Sequence, residues 1–324
     1  MNSSLRTRIR VTDLARPGAN LQTEFIEGLQ RRPKRISPKF LYNKRGSQLF
    51  DQICELPEYY PTRTEISILR EHAGDIAALC GPRCRLVELG SGSSTKTTLI
   101  LDRLEDPAGY VPTDISRPHL IAAAERIAAR YDHLEVLPVC TDYTHALVLP
   151  QPTLPSRSTA FFFPGSTIGN FEPHAAIAFL RRLANAGSTG DYLIVGVDLV
   201  KNHHVLRQAY NDSQGITAAF NLNVLQRANE EFSAGFSLAH FQHRAIYNEE
   251  QQRIEMRIAS TREQSVRVDG ETIRFALGEE ITTEHSYKYL PETFAGIARQ
   301  AGWRPLTRWT DSKHWFSVVV FQCA

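Results

Sequence analysis

Between about residues 64 and 200 the hydrophobic positions come in short, nearly continuous runs, each followed by a longer stretch with apolar residues at helical spacing. The runs are "CRLVELG", "GYVPTDI", "LEVLPVC", "STAFFFP" and "DYLIVGVDLV"; helical spacing occupies Thr95 to Leu104, "RPHLIAAAERIAARY" and "EPHAAIAFLRRLANA". Strands alternating with helices predict an α/β fold with a parallel, doubly wound sheet. Runs without polar alternation predict strands covered on both faces.

After Val200 this rhythm stops. "NHHVLRQAYNDSQGITAAFNLNVLQRANEEF" reads as helical, and "FQHRAIYNEEQQRIEMRIASTREQSVRV" alternates as strands do, with a turn at Asn248 to Gln252. This is a different, α+β piece. From Pro291 the chain returns to a helix, "PETFAGIARQAGW", and to two strands, "RPLTRWT" and "HWFSVVVFQC", which complete the sheet as an antiparallel end hairpin. The first 63 residues read as helices joined by ordered loops, with the unusual "LPEYYPTRTE" near their end. The second domain therefore interrupts the first.

Composition narrows the class of partner. The 324 residues are 42% hydrophobic, enough for a sizeable core, and 37 basic against 35 acidic residues leave a net charge of +2. Nothing in that balance predicts nucleic-acid binding. Cysteines at 54, 80, 84, 140 and 323 are odd in number and share no spacing, so reduced thiols and a cytoplasmic address are expected. No apolar run reaches the length of a membrane span, and "MNSSLRTRIR" lacks the apolar centre of a secretory signal. His203 and His204 are adjacent and have no Cys or carboxylate at ligand spacing, so no metal site is expected.

Chemistry gathers first at "LVELGSGSSTKT", where a strand turns into a helix through Gly90 and Gly92. Glycine admits a ligand close to the backbone, and the helix behind it offers unpaired N–H groups. The third glycine of a dinucleotide fingerprint is replaced by Ser93, Ser94 and Thr95. Asp114 ends the next strand, 24 residues after Gly90, where a carboxylate can take both ribose hydroxyls. Asp142 ends the third strand beside Tyr143, in reach of an adenine amino group and its ring face. A modified glycine turn with acids at two successive strand ends fits S-adenosylmethionine better than a nicotinamide dinucleotide.

"FFFPGSTIGNF" empties a strand onto a small, polar turn ending in Asn170. Together with "SPKFLYNKRGSQLFDQICELPEYYPTRTE", "DLVKNHHVLRQAYND", "GITAAFNLNVL", "RIEM" and "EEITTEHSYKYLPE", these blocks resemble the L-histidine Nα-methyltransferases of ergothioneine biosynthesis, in order and over nearly the whole chain. The resemblance implies a Rossmann-like class I methyltransferase sheet with a discontinuous α+β substrate-binding domain. Residues 1–63 and 200–285 would form the substrate-binding domain, and 64–199 with 286–324 the S-adenosylmethionine-binding domain. It implies three methyl transfers to the α-amino group of free histidine, giving hercynine, without metal and in a monomer. Asn170 and Gly165 would then meet the amino acid's backbone groups, Tyr210 its carboxylate and Tyr59 its amine. Glu284 and Ser286 would read the imidazole, with Met256 lining the pocket. Tyr42, Gly90, Lys96, Asp114 and Asp142 fall on cofactor positions, and Tyr143 stands where another member has Phe.

Plainer roles exist for each residue. Tyrosines are often core residues with satisfied hydroxyls, Met256 is an ordinary core type, Glu284 follows other acids in an exposed-looking loop, and Asn170 is a favoured N-cap for the helix beginning near Glu172. Phe50 is a candidate aromatic neighbour of the amine and equally a core residue. The functional alternatives are N-methylation of another aromatic amino acid or an indole amine, nucleic-acid amino-methylation, for which "NFEP" is a weak echo, and cofactor binding without catalysis.

Overall fold

The computed structural model describes residues 9–14, 21–92, 94–144 and 147–324. Ser93 and most of the amino-terminal stretch "MNSSLRTRIR" lie outside them. In chain order the first half contains β1 (Thr12–Asp13), α1 (Leu21–Gln30), β2 (Lys34–Arg35), α2 (Lys44–Glu55), α3 (Tyr60–Cys80), β3 (Cys84–Leu89), α4 (Thr95–Leu101), β4 (Gly109–Asp114), α5 (Arg117–Arg130), β5 (Val139–Cys140), β6 (Ser158–Phe163), α6 (Pro173–Ala186) and β7 (Tyr192–Asp198). The second half adds α7 (His203–Ala209), α8 (Ile216–Glu231), β8 (Phe241–Asn248), β9 (Arg253–Ser260), β10 (Gln264–Val268), β11 (Glu271–Phe275), β12 (Glu280–Tyr287), α9 (Pro291–Gln300), β13 (Trp303–Thr310) and β14 (Phe316–Cys323).

Residues 1–15, 61–200 and 289–324 make one compact unit, and residues 16–60 and 201–288 the other. In the first, eight strands run in the order β1-β5-β4-β3-β6-β7-β14-β13. The pairs from β1 to β7 are parallel, and β14 runs antiparallel to both β7 and β13. Every residue of β3 is buried, the charged Arg85 and Glu88 included, as a strand covered by helices on both faces requires. From β3 the chain steps outward to β4 and β5, then returns to β6 on the other side of β3. That reversal makes the carboxyl ends of β3 and β6 a topological switch point, where open α/β sheets bind ligands. Glu88 pairs with Phe162 there, so the turns carrying Gly90 and Gly165 leave adjacent strand ends.

Two expectations change in this unit. "LEVLPVC" pairs regularly only at Val139–Cys140, because Val136 makes isolated bridges to Ile9 and Tyr110 and Pro138 interrupts the run. Residues 1–63 are also not all one piece: Thr12 and Asp13 pair in parallel with Val139 and Cys140 and extend the large sheet.

The second unit holds a four-stranded sheet, β2-β12-β9-β8, and the hairpin β10–β11. Its core includes Phe25, whose ring lies 5.3 Å from Phe40 and 5.4 Å from Phe232. The long helical stretch after Asn202 is two helices. Gly215, at φ +74°, precedes α8, and the Asp212 carboxylate accepts from the N–H groups of Ile216 and Thr217 at 2.9 and 2.8 Å, capping that helix. This break leaves Tyr210 at the carboxyl end of α7 rather than inside a helix. Among the described residues no helix is long and apolar enough to cross a membrane.

Candidate active site

At the switch point the main chain turns tightly after β3. Gly90 has φ +75° and Gly92 +45°, and the N–H groups of Gly90 and Ser91 both donate to the Thr113 carbonyl, at 2.9 and 3.0 Å. A Cβ at Gly90 would lie 3.8 Å from the Tyr143 ring, so the glycine keeps a cradle open between turn and ring. The Tyr143 ring is wedged against Phe163 and Phe179, each 5.8 Å away between centroids, and burial pushes its phenol well up. The Ser91 hydroxyl is buried and has no hydrogen-bond partner among the described residues, an unmet polar group at the place a ligand would occupy.

Two carboxylates face the same region. Burial raises Asp114, while the Ser116 N–H donates to its Oδ1 at 2.8 Å. Asp142 accepts from the Thr144 N–H at 3.0 Å, which fixes the start of its loop. Behind the turn, Glu88 accepts hydrogen bonds from the Thr97 and Tyr110 hydroxyls, and burial nevertheless raises its pKa to about 7. A glycine cradle, an orphaned hydroxyl and acids on the next two strand ends fit the adenosyl and ribose parts of S-adenosylmethionine.

Lys96, on the first turn of α4, meets Glu65 of α3 at 2.6 Å. Glu65 is fully buried and also accepts from the Gly165 N–H, at 2.9 and 3.1 Å to its two oxygens. One carboxylate thereby holds both Lys96 and the start of the "GSTIGN" turn. That turn is a short 3-10 helix over Thr167–Asn170, entered through Gly165 at φ +78° and Ser166 at φ +56°. Asn170 is not the cap of the following helix: Glu172 occupies that position, and its side chain makes no cap hydrogen bond.

The other unit collects the remaining candidates. Tyr59, Tyr210, Met256, Glu284 and Ser286 are all buried. Met256 on β9 lies directly opposite Glu284 on β12, so the two share one face of the sheet. Ser286 is two residues further along β12 and lies on that same face. The Tyr59 and Tyr210 ring centroids are 6.2 Å apart. Burial raises the Tyr59 phenol well above its ordinary range, and the nearby Tyr210, Cys54, Tyr42 and Glu284 add to the effect. Phe50 stands 6.2 Å from Tyr59 and 5.7 Å from Tyr42, which also meets Phe220 at 5.5 Å. Tyr42 thus belongs to the unit that carries Tyr59, whereas Gly90, Gly92, Lys96, Asp114, Asp142, Tyr143, Gly165 and Asn170 belong to the large-sheet unit.

Local sequence explains these placements. Asn43 accepts from the Gly46 N–H at 2.8 Å and from the Asn223 side chain at 2.9 Å, which anchors the corner holding Tyr42 to α8. An extra residue in β12 between Thr282 and Glu284 breaks the register, and the Thr283 hydroxyl bonds Asn221 Oδ1 at 2.6 Å. The His243 Nε2–H donates to the Tyr210 carbonyl at 2.9 Å, leaving Nδ1 to accept from Asn221 at 2.9 Å. Burial lowers the His243 pKa, consistent with this neutral form.

Sequence reasoning missed Glu65, Gly196, Lys288 and His243. A lone glycine inside the apolar run "DYLIVGVDLV" was a usable signal of close approach at Gly196. Nothing comparable marked the others. Among the described residues no cluster of three or more His, Cys, Asp or Glu side chains is placed to hold a metal ion.

A doubly wound sheet with a reversed end hairpin, a glycine cradle and acids on successive strand ends is the architecture of an S-adenosylmethionine-dependent methyltransferase. The profile of the family described as histidine-specific, SAM-dependent methyltransferases matches residues 21–323, and the chain belongs to that family. It is 43% identical over 296 residues to the histidine N-alpha-methyltransferase of Mycolicibacterium smegmatis, covering 90% of this chain and 91% of that one. The Mycobacterium tuberculosis protein of the same name is 41% identical over 297 residues, with the same coverage. Ergothioneine biosynthesis protein 1 of Neurospora crassa is 33% identical over 303 residues, and the match spans 34% of its length.

Proposed function

We propose that this protein transfers three methyl groups from S-adenosylmethionine to the α-amino nitrogen of L-histidine, giving hercynine, in ergothioneine biosynthesis. The observation that carries this reading is the gathering of Tyr59, Tyr210, Met256, Glu284 and Ser286 in one unit of a chain from the histidine-specific family. The names of the similar proteins support the substrate and the pathway. We further propose that it acts as a cytoplasmic monomer, without nucleic-acid or membrane partners.

In this reading Gly90, Gly92, Lys96, Asp114, Asp142, Tyr143 and Tyr42 hold the donor, which supplies an electrophilic methyl group on a sulfonium. Asp114 takes the ribose hydroxyls, and Asp142 with Tyr143 takes the adenine. Asn170 and Gly165 hold the amino acid's backbone groups, and Tyr210 its carboxylate. Glu284 accepts the imidazole N–H, and Ser286 donates to the other ring nitrogen, a pairing that a neutral imidazole satisfies fully. Met256 closes the pocket against larger rings.

Positioning contributes most of the rate. An amine attacks only when its lone pair is aligned with the bond being broken, and fixing that geometry can remove several kcal/mol of barrier. Tyr59 orients the amine. Its raised pKa keeps the phenol neutral, so it passes the ammonium proton to water instead of removing it as a phenolate. Each added methyl removes an N–H donor, and the faces of Phe50 and Tyr59 suit the fixed cation left at the end. Incubation with L-histidine, L-tryptophan and L-phenylalanine and a methyl-labelled donor tests the assignment: label is expected on histidine alone, and labelling of another amino acid in preference to histidine contradicts it.

A further inference from the structure

Lys288 follows directly on β12 and is buried, with only 2% of its surface exposed. Its Nζ donates to the Tyr210 hydroxyl at 2.9 Å and to the Ser286 hydroxyl at 2.8 Å, and these two oxygens are 2.8 Å from each other. The ammonium also lies 4.7 Å from the centre of the Tyr210 ring. A buried lysine is costly unless its donors are met, and here two are met by the hydroxyls assigned to substrate.

Proton counting shows what this triangle does. Each hydroxyl has one proton to give, and the bond between Tyr210 and Ser286 uses one of the two. Because Lys288 donates to both oxygens, neither hydroxyl needs the other as a donor. An arriving ligand with two acceptor atoms can therefore take both protons while the oxygens stay satisfied.

We propose that Lys288 is a specificity-determining positioning residue, which turns Tyr210 and Ser286 into simultaneous donors, one toward the substrate carboxylate and one toward the unprotonated imidazole nitrogen. This rests on the reading of Tyr210 and Ser286 given above. Binding exchanges the Tyr210–Ser286 hydrogen bond for two bonds to substrate, and the ammonium remains in place. Without Lys288 the hydroxyls stay bonded to each other, and only one proton reaches the ligand.

Steady-state kinetics of Lys288→Met, alone and combined with Ser286→Ala, tests this. The single variant should raise the KM for histidine about tenfold or more and leave the KM for the methyl donor within about twofold. Adding Ser286→Ala should then cost less than about threefold, since the hydroxyl has already lost its role. An unchanged histidine KM, equal rises in both KM values, or fully multiplicative losses would overturn the proposal. If Lys288→Met does not fold, histidine titration into Tyr210→Phe, Ser286→Ala and the double variant decides instead. With both protons given independently, the single losses multiply in the double variant, whereas a double variant no weaker than the poorer single one contradicts the idea. Wild-type protein that does not methylate histidine would refute the assigned function itself, while wild-type activity with an indifferent Lys288 variant refutes only this inference.

Discussion

Gly196 lies so close to Glu65 that a Cβ built on it would stand 2.0 Å from the Glu65 Oε1. The glycine on β7 is thus the space into which the Glu65 carboxylate fits while it holds Lys96 and the Gly165 N–H. Gly196→Ala must displace the carboxylate, and overpacking of this kind costs about 1–3 kcal/mol. Thermal unfolding should show a lowered midpoint, and the KM for the methyl donor should rise. Wild-type values of both would mean that the carboxylate has room to move.

Glu65→Gln tests the same network through charge. The amide keeps an acceptor for Gly165 but leaves the mostly buried Lys96 without its counter-charge, a loss of about 3 kcal/mol in a buried pair. Donor affinity measured by calorimetry should weaken about tenfold or more, with the lysine no longer held. Equal affinity in variant and wild type would remove Lys96 from the donor site.

Glu88 gives a pH signature. Its folded pKa is raised from 4.5 to about 7, so the folded protein binds this proton more tightly than the unfolded chain does. The associated stability is fully present below pH 4.5 and is lost as pH rises to about 7, by up to about 3 kcal/mol. Denaturant melts of wild type and Glu88→Gln across this range should show the wild type losing ground to the variant as pH rises. Parallel curves would contradict it.

Tyr59→Phe removes only the hydroxyl from a buried ring that touches Phe50 and Tyr210. The expected result is a kcat lowered about tenfold or more, with a changed ratio of mono-, di- and trimethylated product in quenched reactions. Because burial keeps this phenol neutral, the wild-type pH–rate profile should contain no tyrosine limb near its ordinary value of 10.0. Unchanged kinetics and product ratio would exclude Tyr59 from the chemistry.

Glu284→Ala should raise the KM for histidine about tenfold or more and leave donor affinity within about twofold, since the residue lies in the other unit from Gly90 and Asp114. Titration of each ligand separately checks the split. Equal loss of both would indicate a damaged fold.

The large sheet was legible because its strands are buried on both faces and announce themselves as apolar runs. β1 was not: two residues, Thr12 and Asp13, pair at an edge where neither periodicity nor composition signals a strand. The interruption between α7 and α8 was open to reading, since Asn211, Asp212, Ser213 and Gly215 are turn and cap residues, but apolar positions at helical spacing on both sides masked it; the Asp212 carboxylate caps the second helix. Glycines and strand-end acids pointed to a cofactor side from spacing alone, whereas Glu284, Met256 and Ser286 stood out only through resemblance. Lys288 and Glu65 were invisible because a buried charge reads in sequence like any surface lysine or glutamate, and only the fold brings them their partners.

The account stands most directly on the mass and fragmentation of the product formed from L-histidine and S-adenosylmethionine. It predicts successive gains of one, two and three methyl groups, all on the α-nitrogen, ending in the trimethylated betaine. Methyl groups on the ring, or histidine recovered unmodified while the donor remains intact, would contradict it.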